Sequence, residues 1–103
     1  MTGNDRLLSA VALCRRAGKL AIGFDATLKA LNQGAVLVLA ASDAAARTVQ
    51  NVQRACGAHT EILRLPRTQA QIEQATGRKF AVAAVCDPNL ARLIQQNIKE
   101  DAK

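Results

Sequence analysis

The sequence predicts an α/β fold, in which helices alternate with strands in α/β/α layers around a sheet of about four strands. Segments with helical apolar spacing alternate with short apolar runs typical of strands. Four glycines each follow a helical pattern and precede a strand pattern: Gly18, Gly34, Gly57 and Gly77. The chain has 103 residues, half of them hydrophobic, which indicates one domain over 1–103 with a modest core.

The first third of the chain is predicted to form two helices joined by a short strand. A helix over 4–17 has Asn4 or Asp5 as its N-cap and Gly18 as the left-handed residue that ends it. Residues 20–22 are too few for anything but a strand or a connector. Gly23 then begins a second helix, because apolar residues follow it at helical spacing. These residues are Phe24, Thr27, Leu28 and Leu31.

The middle of the chain is predicted to place a third helix between two strands. Residues 36–41 form an apolar run typical of a strand that is covered on both faces. Ser42 or Asp43 is expected to cap the third helix, and Gly57 to end it. Residues 60–65 are strand-like, but the charged residues among them, Glu61 and Arg64, indicate a less central position.

The last third is predicted to supply two helices and the most apolar strand. A capping box over 68–71 begins a short fourth helix, with Gly77 just past its end. Residues 80–86 form the apolar strand. Asp87 caps the final helix, and the polar tail from Lys99 onward is expected to fray.

The charge of the chain points to an acidic partner. Fourteen Lys and Arg residues face eight Asp and Glu, which gives a formal net charge of +6. Nucleic acid is the favoured partner, and a basic surface that serves only solubility is the alternative. Two Phe and no Tyr or Trp disfavour single-strand binding by base stacking. Membrane binding is disfavoured, because no helix combines a dense basic face with bulky apolar residues.

The residues that could support catalysis or metal binding form no usable pattern. Cys14, Cys56 and Cys86 lack metal-ligand spacing and lie in apolar runs, so buried reduced thiols are expected. The only histidine, His59, is expected to be a surface residue. No pairing of a nucleophile with a base can be argued from spacing. The sequence therefore predicts a protein that is not an enzyme and needs no cofactor or metal.

The termini and the apolar runs bear on location. No apolar run approaches the roughly 20 residues that cross a bilayer. The first residues lack the basic start and apolar stretch of a signal peptide. We therefore expect a cytoplasmic protein, and a monomer.

Cations crowd the glycine-led start of the second helix. Four bases and one acid lie between residues 15 and 29: Arg15, Arg16, Lys19, Lys29 and Asp25. The free N–H groups and the dipole of a helix both favour negative charge at its start. The two lysines are either phosphate contacts or solvated residues near helix ends. The two arginines either extend the basic surface or complement the dipole of the first helix.

These residues resemble a known family. Arg-Arg-Ala-Gly-Lys-Leu over 15–20, Gly23, Lys29 and the apolar strand before Ser42-Asp43 are similar to the ribosomal protein L-seven-Ae/L-thirty-e family, and most to its bacterial YlxQ-like branch. The resemblance covers nearly the whole chain in the same element order. It implies a three-layer α/β/α sandwich on a mixed four-stranded sheet. It also implies a translation-associated ribonucleoprotein component that binds kink-turn RNA, an internal loop bent sharply beside tandem G·A pairs.

The family's main RNA contact is the start of the second helix, which carries Gly, one residue, Asn-Glu, two residues and Lys. In the same frame Gly23 and Lys29 match, Asp25 replaces Asn, and Ala26 replaces Glu. An ionised Asp accepts hydrogen bonds but cannot donate to guanine. Phe24 lies in this frame and fits a core or staple position better than a stacking platform. The resemblance thus implies RNA binding and leaves kink-turn specificity open.

A second family contact comes from the loop before the last strand. Here that loop is 76–80, and its Arg78 and Lys79 would contact phosphates, which positions RNA without reading its sequence. The predicted RNA-binding residues are Arg16, Lys19, Gly23, Phe24, Asp25, Lys29, Arg78 and Lys79. The changes at Asp25 and Ala26 favour an alternative, a ribosome-associated protein–protein adaptor. A nucleoid-type DNA binder is a further alternative.

Overall fold

The computed structural model describes residues 5–57 and 60–101, in which five helices alternate with four strands. The helices are α1 (Arg6–Arg16), α2 (Phe24–Asn32), α3 (Ala46–Ala55), α4 (Gln69–Thr76) and α5 (Pro88–Asp101). The strands are β1 (Leu20–Ile22), β2 (Leu37–Ala40), β3 (Glu61–Arg64) and β4 (Val82–Val85). Asn4 and His59 lie outside the described residues. None of these five helices combines the length and apolar character that a membrane span requires.

The four strands form one mixed sheet in the order β1-β4-β2-β3. Strand β4 pairs antiparallel with β1 and β2, and β3 pairs parallel with β2. Every residue of β2 and β4 is buried, as expected for central strands covered on both faces. Strand β3 lies at an edge with Glu61 and Arg64 exposed, so the predicted less central position is confirmed.

Helices cover both faces of the sheet and produce the predicted three-layer α/β/α architecture. Helices α1, α4 and α5 pack on one face, in a cluster that includes Leu37 and Leu39 of β2. Helices α2 and α3 cover the other face, where the alternate β2 residues Val38 and Ala40 point. This alternation follows from the two-residue period of a strand. Burial of both faces is the main term that stabilises the fold.

The strand directions bring three parts of the chain to one end of the sheet. Because β1 and β2 run antiparallel to β4, their last residues lie beside its first. The Gly23 N–H donates to the Val82 oxygen at 3.0 Å, and the Ala41 N–H donates to the Ala81 oxygen at 2.8 Å. The start of α2, the turn over 41–45 and residues 81–82 therefore meet at what is termed the upper end.

The start and end of α3 differ from the prediction. The helix begins after Ala45, whose side chain cannot accept a hydrogen bond, so Ser42 and Asp43 are not its caps. Instead, Asp43 Oδ1 accepts from the Gln69 N–H at 3.0 Å and stabilises the first turn of α4. The helix ends at Cys56 in an extended conformation, without the help of Gly57.

An ion-pair cluster orders the end of α5, where fraying from Lys99 onward was expected. Arg67 Nε lies 2.9 Å from Asp5 Oδ2, and Arg67 Nη2 lies 2.7 Å from Asp101 Oδ1. Arg67 thus joins the loop after β3 to the start of α1 and the end of α5. Residues 99–101 are helical, and the ion pair with Arg67 gives the last turn of α5 a partner outside the helix.

The three thiols differ in exposure. Cys14 is fully buried, its Sγ donates to the Lys19 oxygen at 3.3 Å, and burial raises its pKa to about 12. Cys56 is half-buried, and burial raises its pKa as well. Cys86 is exposed, so the expectation of a buried thiol is wrong there. It follows the last residue of β4, where the chain leaves the core.

The Arg67 cluster predicts a pH-dependent stability. Its hydrogen bonds lower the pKa of Asp5 and of Asp101 below 3.8. The stabilisation is therefore complete well above pH 4 and is lost as the pH falls through the lowered pKa values. Arg67→Met should lower the free energy of unfolding by about 1–3 kcal/mol at pH 7, and by less at pH 3.

Denaturant unfolding at both pH values measures this difference. Arg92→Met, a change at an exposed arginine of α5, is the matched control and should alter stability by less than about 0.5 kcal/mol. An equal loss for Arg67→Met at pH 7 and pH 3 would contradict an ionic origin.

Two buried threonines predict opposite stability effects. Thr27 Oγ1 has no hydrogen-bond partner among the described residues. Thr76 Oγ1 lies 2.7 Å from the Ile72 oxygen and 2.9 Å from the Arg78 oxygen, and it accepts from the Arg78 N–H at 3.2 Å. Thr27→Val should raise the free energy of unfolding by about 1 kcal/mol, and Thr76→Val should lower it by about 1–3 kcal/mol. Thermal unfolding of both variants tests the pair, and destabilisation by Thr27→Val would contradict the unpaired hydroxyl.

Candidate nucleic-acid interface

The start of α2 is open and lacks a side-chain cap. Gly23 precedes the helix with φ +101° and ψ 167°, a conformation that side chains rarely adopt. A Cβ at this position would meet nothing within 4 Å, so no neighbouring group crowds the Cα of Gly23. Within residues 5–57 and 60–101 no side chain bonds to this cap position. The first N–H groups of α2 and the positive end of its dipole therefore remain available to an anion.

The two residues after Gly23 are exposed. Phe24 is 37 % exposed, so of the two predicted positions, core or staple, the core position is wrong. The buried face of α2 is centred further along the helix, on Thr27 and Ala30, and Phe24 lies at the first position, where the sheet ends. Asp25 is exposed in the first turn, where a carboxylate stabilises the helix dipole. The exposed ring of Phe24 and the carboxylate of Asp25, which can only accept hydrogen bonds, thus lie beside the free N–H groups of α2.

Lys29 lies on α2 at some distance from its start. It is exposed, and six helical residues place it about 9 Å along the axis from Gly23. It shares a helix face with Asp25, four residues before it. In the described part of the chain, however, no ion pair within 4 Å joins the two. The ammonium group of Lys29 is therefore free to contact a ligand that extends along α2.

Lys19 lies at the other end of the sheet. It precedes β1, whose first residue Leu20 pairs with Val85 at the end of β4. Its carbonyl oxygen accepts from the Cys86 N–H at 2.8 Å. Four residues of extended chain separate Lys19 from Gly23 by about 13 Å. The structure therefore does not bring Lys19 to the start of α2.

The two arginines at the end of α1 have different environments. Arg15 Nη1 donates to the Thr76 oxygen at 3.0 Å and satisfies a carbonyl at the end of α4. Arg16 is exposed in the last turn of α1, and in residues 5–57 and 60–101 it forms no ion pair. Both positions agree with the dipole-complementing alternative, and neither residue lies at the start of α2.

The loop before β4 is anchored on both sides and exposes two cations between its anchors. On one side Gly77 ends α4 with φ +83°, and the Thr76 hydroxyl bonds to both backbone polar groups of Arg78. On the other side Phe80 is buried in the core. Arg78 and Lys79 are exposed, and neither forms an ion pair among the residues that the structure describes. The loop is therefore held in place and leads into the upper end.

Arg64 is a cation of the upper end that the sequence analysis did not assign. Its Nη1 lies 3.3 Å from the Ala41 oxygen and 3.2 Å from the Ser42 oxygen. Since β3 runs parallel to β2, the end of β3 lies beside the turn before α3. The sequence signal that could have pointed to Arg64 is its position as a basic residue at the end of a predicted strand. The parallel pairing of β3 with β2, which brings Arg64 to the upper end, cannot be predicted from a single sequence.

Comparisons with known proteins agree with the fold. No family model and no curated protein matches the chain. The solved structure of a protein of unknown function from Bacillus halodurans is similar, with a TM-score of 0.83 and 26 % identity over 93 % of this chain and 99 % of that one. The 15.5kD RNA binding protein of Giardia lamblia has a TM-score of 0.72 and 21 % identity, over 92 % and 83 % of the two chains. This likeness confirms the predicted fold class.

Proposed function

We propose that this chain is a non-enzymatic protein that binds structured RNA at its upper end. The observation that carries the proposal is that the uncapped start of α2 lies at the same end of the sheet as the strand that the anchored Arg78–Lys79 loop enters. The fold shared with an RNA binding protein supports this function. The resemblance to the L-seven-Ae/L-thirty-e family in the residues around Gly23 supports it as well.

The chemistry of the two elements suits a sugar–phosphate backbone. At the start of α2, backbone N–H groups and the helix dipole bind phosphate without any side chain. Arg78 and Lys79 add positive charge on a second element, and Lys29 adds it one turn further along α2. Phosphate contacts of this kind position an RNA and leave discrimination between bases to other groups.

A bent internal loop is the RNA that best fits two separate contact elements. One element is a helix start that can enter a groove, and the other is a loop that can contact the backbone beyond the bend. Asp25 would accept from base amino groups in the groove, and Ala26 would contribute no base contact. We therefore propose a kink-turn-like RNA in a translation-associated ribonucleoprotein, bound with less base discrimination than the family signature provides.

Removal of the loop charges predicts a loss of RNA affinity and of its salt dependence. Arg78→Gln combined with Lys79→Gln should weaken binding by about 1–3 kcal/mol and reduce the slope of log K against log salt by about 2. The control is Arg92→Gln combined with Lys99→Gln, which removes the same charge from α5. Filter binding at several salt concentrations measures the affinity and its salt dependence. An equal loss of affinity for the two double variants would mean that only net charge matters, and would contradict a specific contact at Arg78 and Lys79.

The form of the RNA predicts a preference that can be measured directly. A kink-turn RNA should bind about tenfold or more tightly than the same RNA without its G·A pairs, and Asp25→Asn should widen the ratio because the amide regains a donor. Gel shifts of both proteins on both RNAs test this. Equal affinities for wild type would contradict the kink-turn part of the proposal, and absence of binding to either RNA would contradict RNA binding itself.

A further inference from the structure

The exposed face of α3 carries positive charge and no acid. Val49, Val52 and Cys56 pack towards the sheet. The opposite face consists of four exposed residues at i, i+3, i+4 and i+7: Arg47, Gln50, Asn51 and Arg54. The whole helix contains no Asp or Glu. These four residues are termed the α3 stripe.

The side chains of the α3 stripe are free for an outside partner. Its two guanidinium groups form no ion pair within the described ranges 5–57 and 60–101. Arg54 Nη1 lies 3.4 Å from Asn51 Oδ1, a long hydrogen bond on an exposed surface. Asp43, an acid in the turn before α3, is bonded to the Gln69 N–H at 3.0 Å. Because α3 contains no acid, no pair of opposite charges three or four residues apart on the helix uses the two arginines.

The position of the α3 stripe connects it to the upper end. Since β1 and β2 are parallel and each leads into its helix, α2 and α3 leave the upper end in the same general direction. The two helices pack side by side on one face of the sheet. Arg47 lies in the first turn of α3, and Arg54 lies seven residues later, about 10 Å along the axis. The stripe therefore begins beside the α2 site and continues away from it.

We propose that Arg47, Gln50, Asn51 and Arg54 form a second RNA contact, which binds the backbone of a duplex arm that extends from the α2 site. The inference rests on the proposed function, because binding at α2 places the arm. Guanidinium and amide groups donate to phosphate oxygens and 2′-hydroxyls, which a duplex presents regardless of sequence. The stripe carries no aromatic residue for unstacked bases, so a paired arm fits it better than a single strand.

The test varies the length of the RNA arm. Kinked RNAs are prepared with both arms short, and with either arm extended by half a helical turn. Wild type should bind one of the extended RNAs about tenfold more tightly than the short one. Arg47→Gln combined with Arg54→Gln should keep the affinity for the short RNA and lose this gain. The control variant Arg92→Gln combined with Lys99→Gln removes equal charge and should keep the gain, and circular dichroism verifies that each variant is folded.

The outcomes separate the two proposals. If wild type binds the short RNA and gains nothing from either extension, the second contact is overturned and the α2 site stands. If the α3 double variant weakens all RNAs equally, the stripe belongs to the general charge of the protein and the arm contact is overturned. If wild type binds none of the RNAs, the proposed function itself fails. Retention of an acidic protein partner through the stripe after nuclease treatment would also overturn the arm contact.

Discussion

The structure depends on one constraint, the pairing of β4 with both β1 and β2. Strand β4 lies between β1 and β2 in a sheet that helices cover on both faces, so it is fully buried and must be apolar throughout. The same pairing sets the direction of every neighbouring element. It brings the ends of β1 and β2 to the start of β4, so Gly23 and Ala41 bond to adjacent residues of the β4 segment, Val82 and Ala81. The pairing of β4 with β1 and β2 therefore brings three features together: the open start of α2, the turn before α3 and the last residues of the loop before β4.

The basic residues of the chain divide into two groups with different roles. Arg15, Arg64 and Arg67 are used within the protein, where they bond to carbonyl groups at the ends of elements or to carboxylates. The Thr76 and Ala41 oxygens and the Asp5 carboxylate are partly buried, so these contacts satisfy acceptors that burial would otherwise penalise. Other cations, among them Arg78 and Lys79, are exposed and form no ion pair in the described ranges. This second group is therefore the positive charge that is open to an outside partner.

The features that could be predicted from the sequence are those encoded by neighbouring residues. The left-handed Gly77, the capping box at Thr68 and the cap at Asp87 are local signals, and the structure confirms them. The features that were missed depend on contacts between distant residues. Asp43 caps a different helix from the one that follows it, and Asp101 is held by an arginine 34 residues away. The open start of α2 could be predicted because Gly23 and the residues after it encode it locally. The positions of Lys19 and Arg64 could not be predicted, because they depend on which strands pair in the sheet.

Asp25 and Ala26, at which the chain departs from the family that its sequence resembles, change side chains at the start of α2 and leave its backbone unchanged. A helix start binds phosphate through N–H groups and a dipole that every sequence with this backbone possesses, and Gly23 preserves the backbone. In the RNA complex that we propose, Asp25 and Ala26 would change only the groups that discriminate between bases. On the proposed function, affinity for RNA therefore survives both changes while base discrimination falls. A protein with little base discrimination gains specificity from the shape of its RNA ligand. The contacts proposed at Arg78 and along α3 would bind the backbone on both sides of a bend, and contacts of that kind recognise shape.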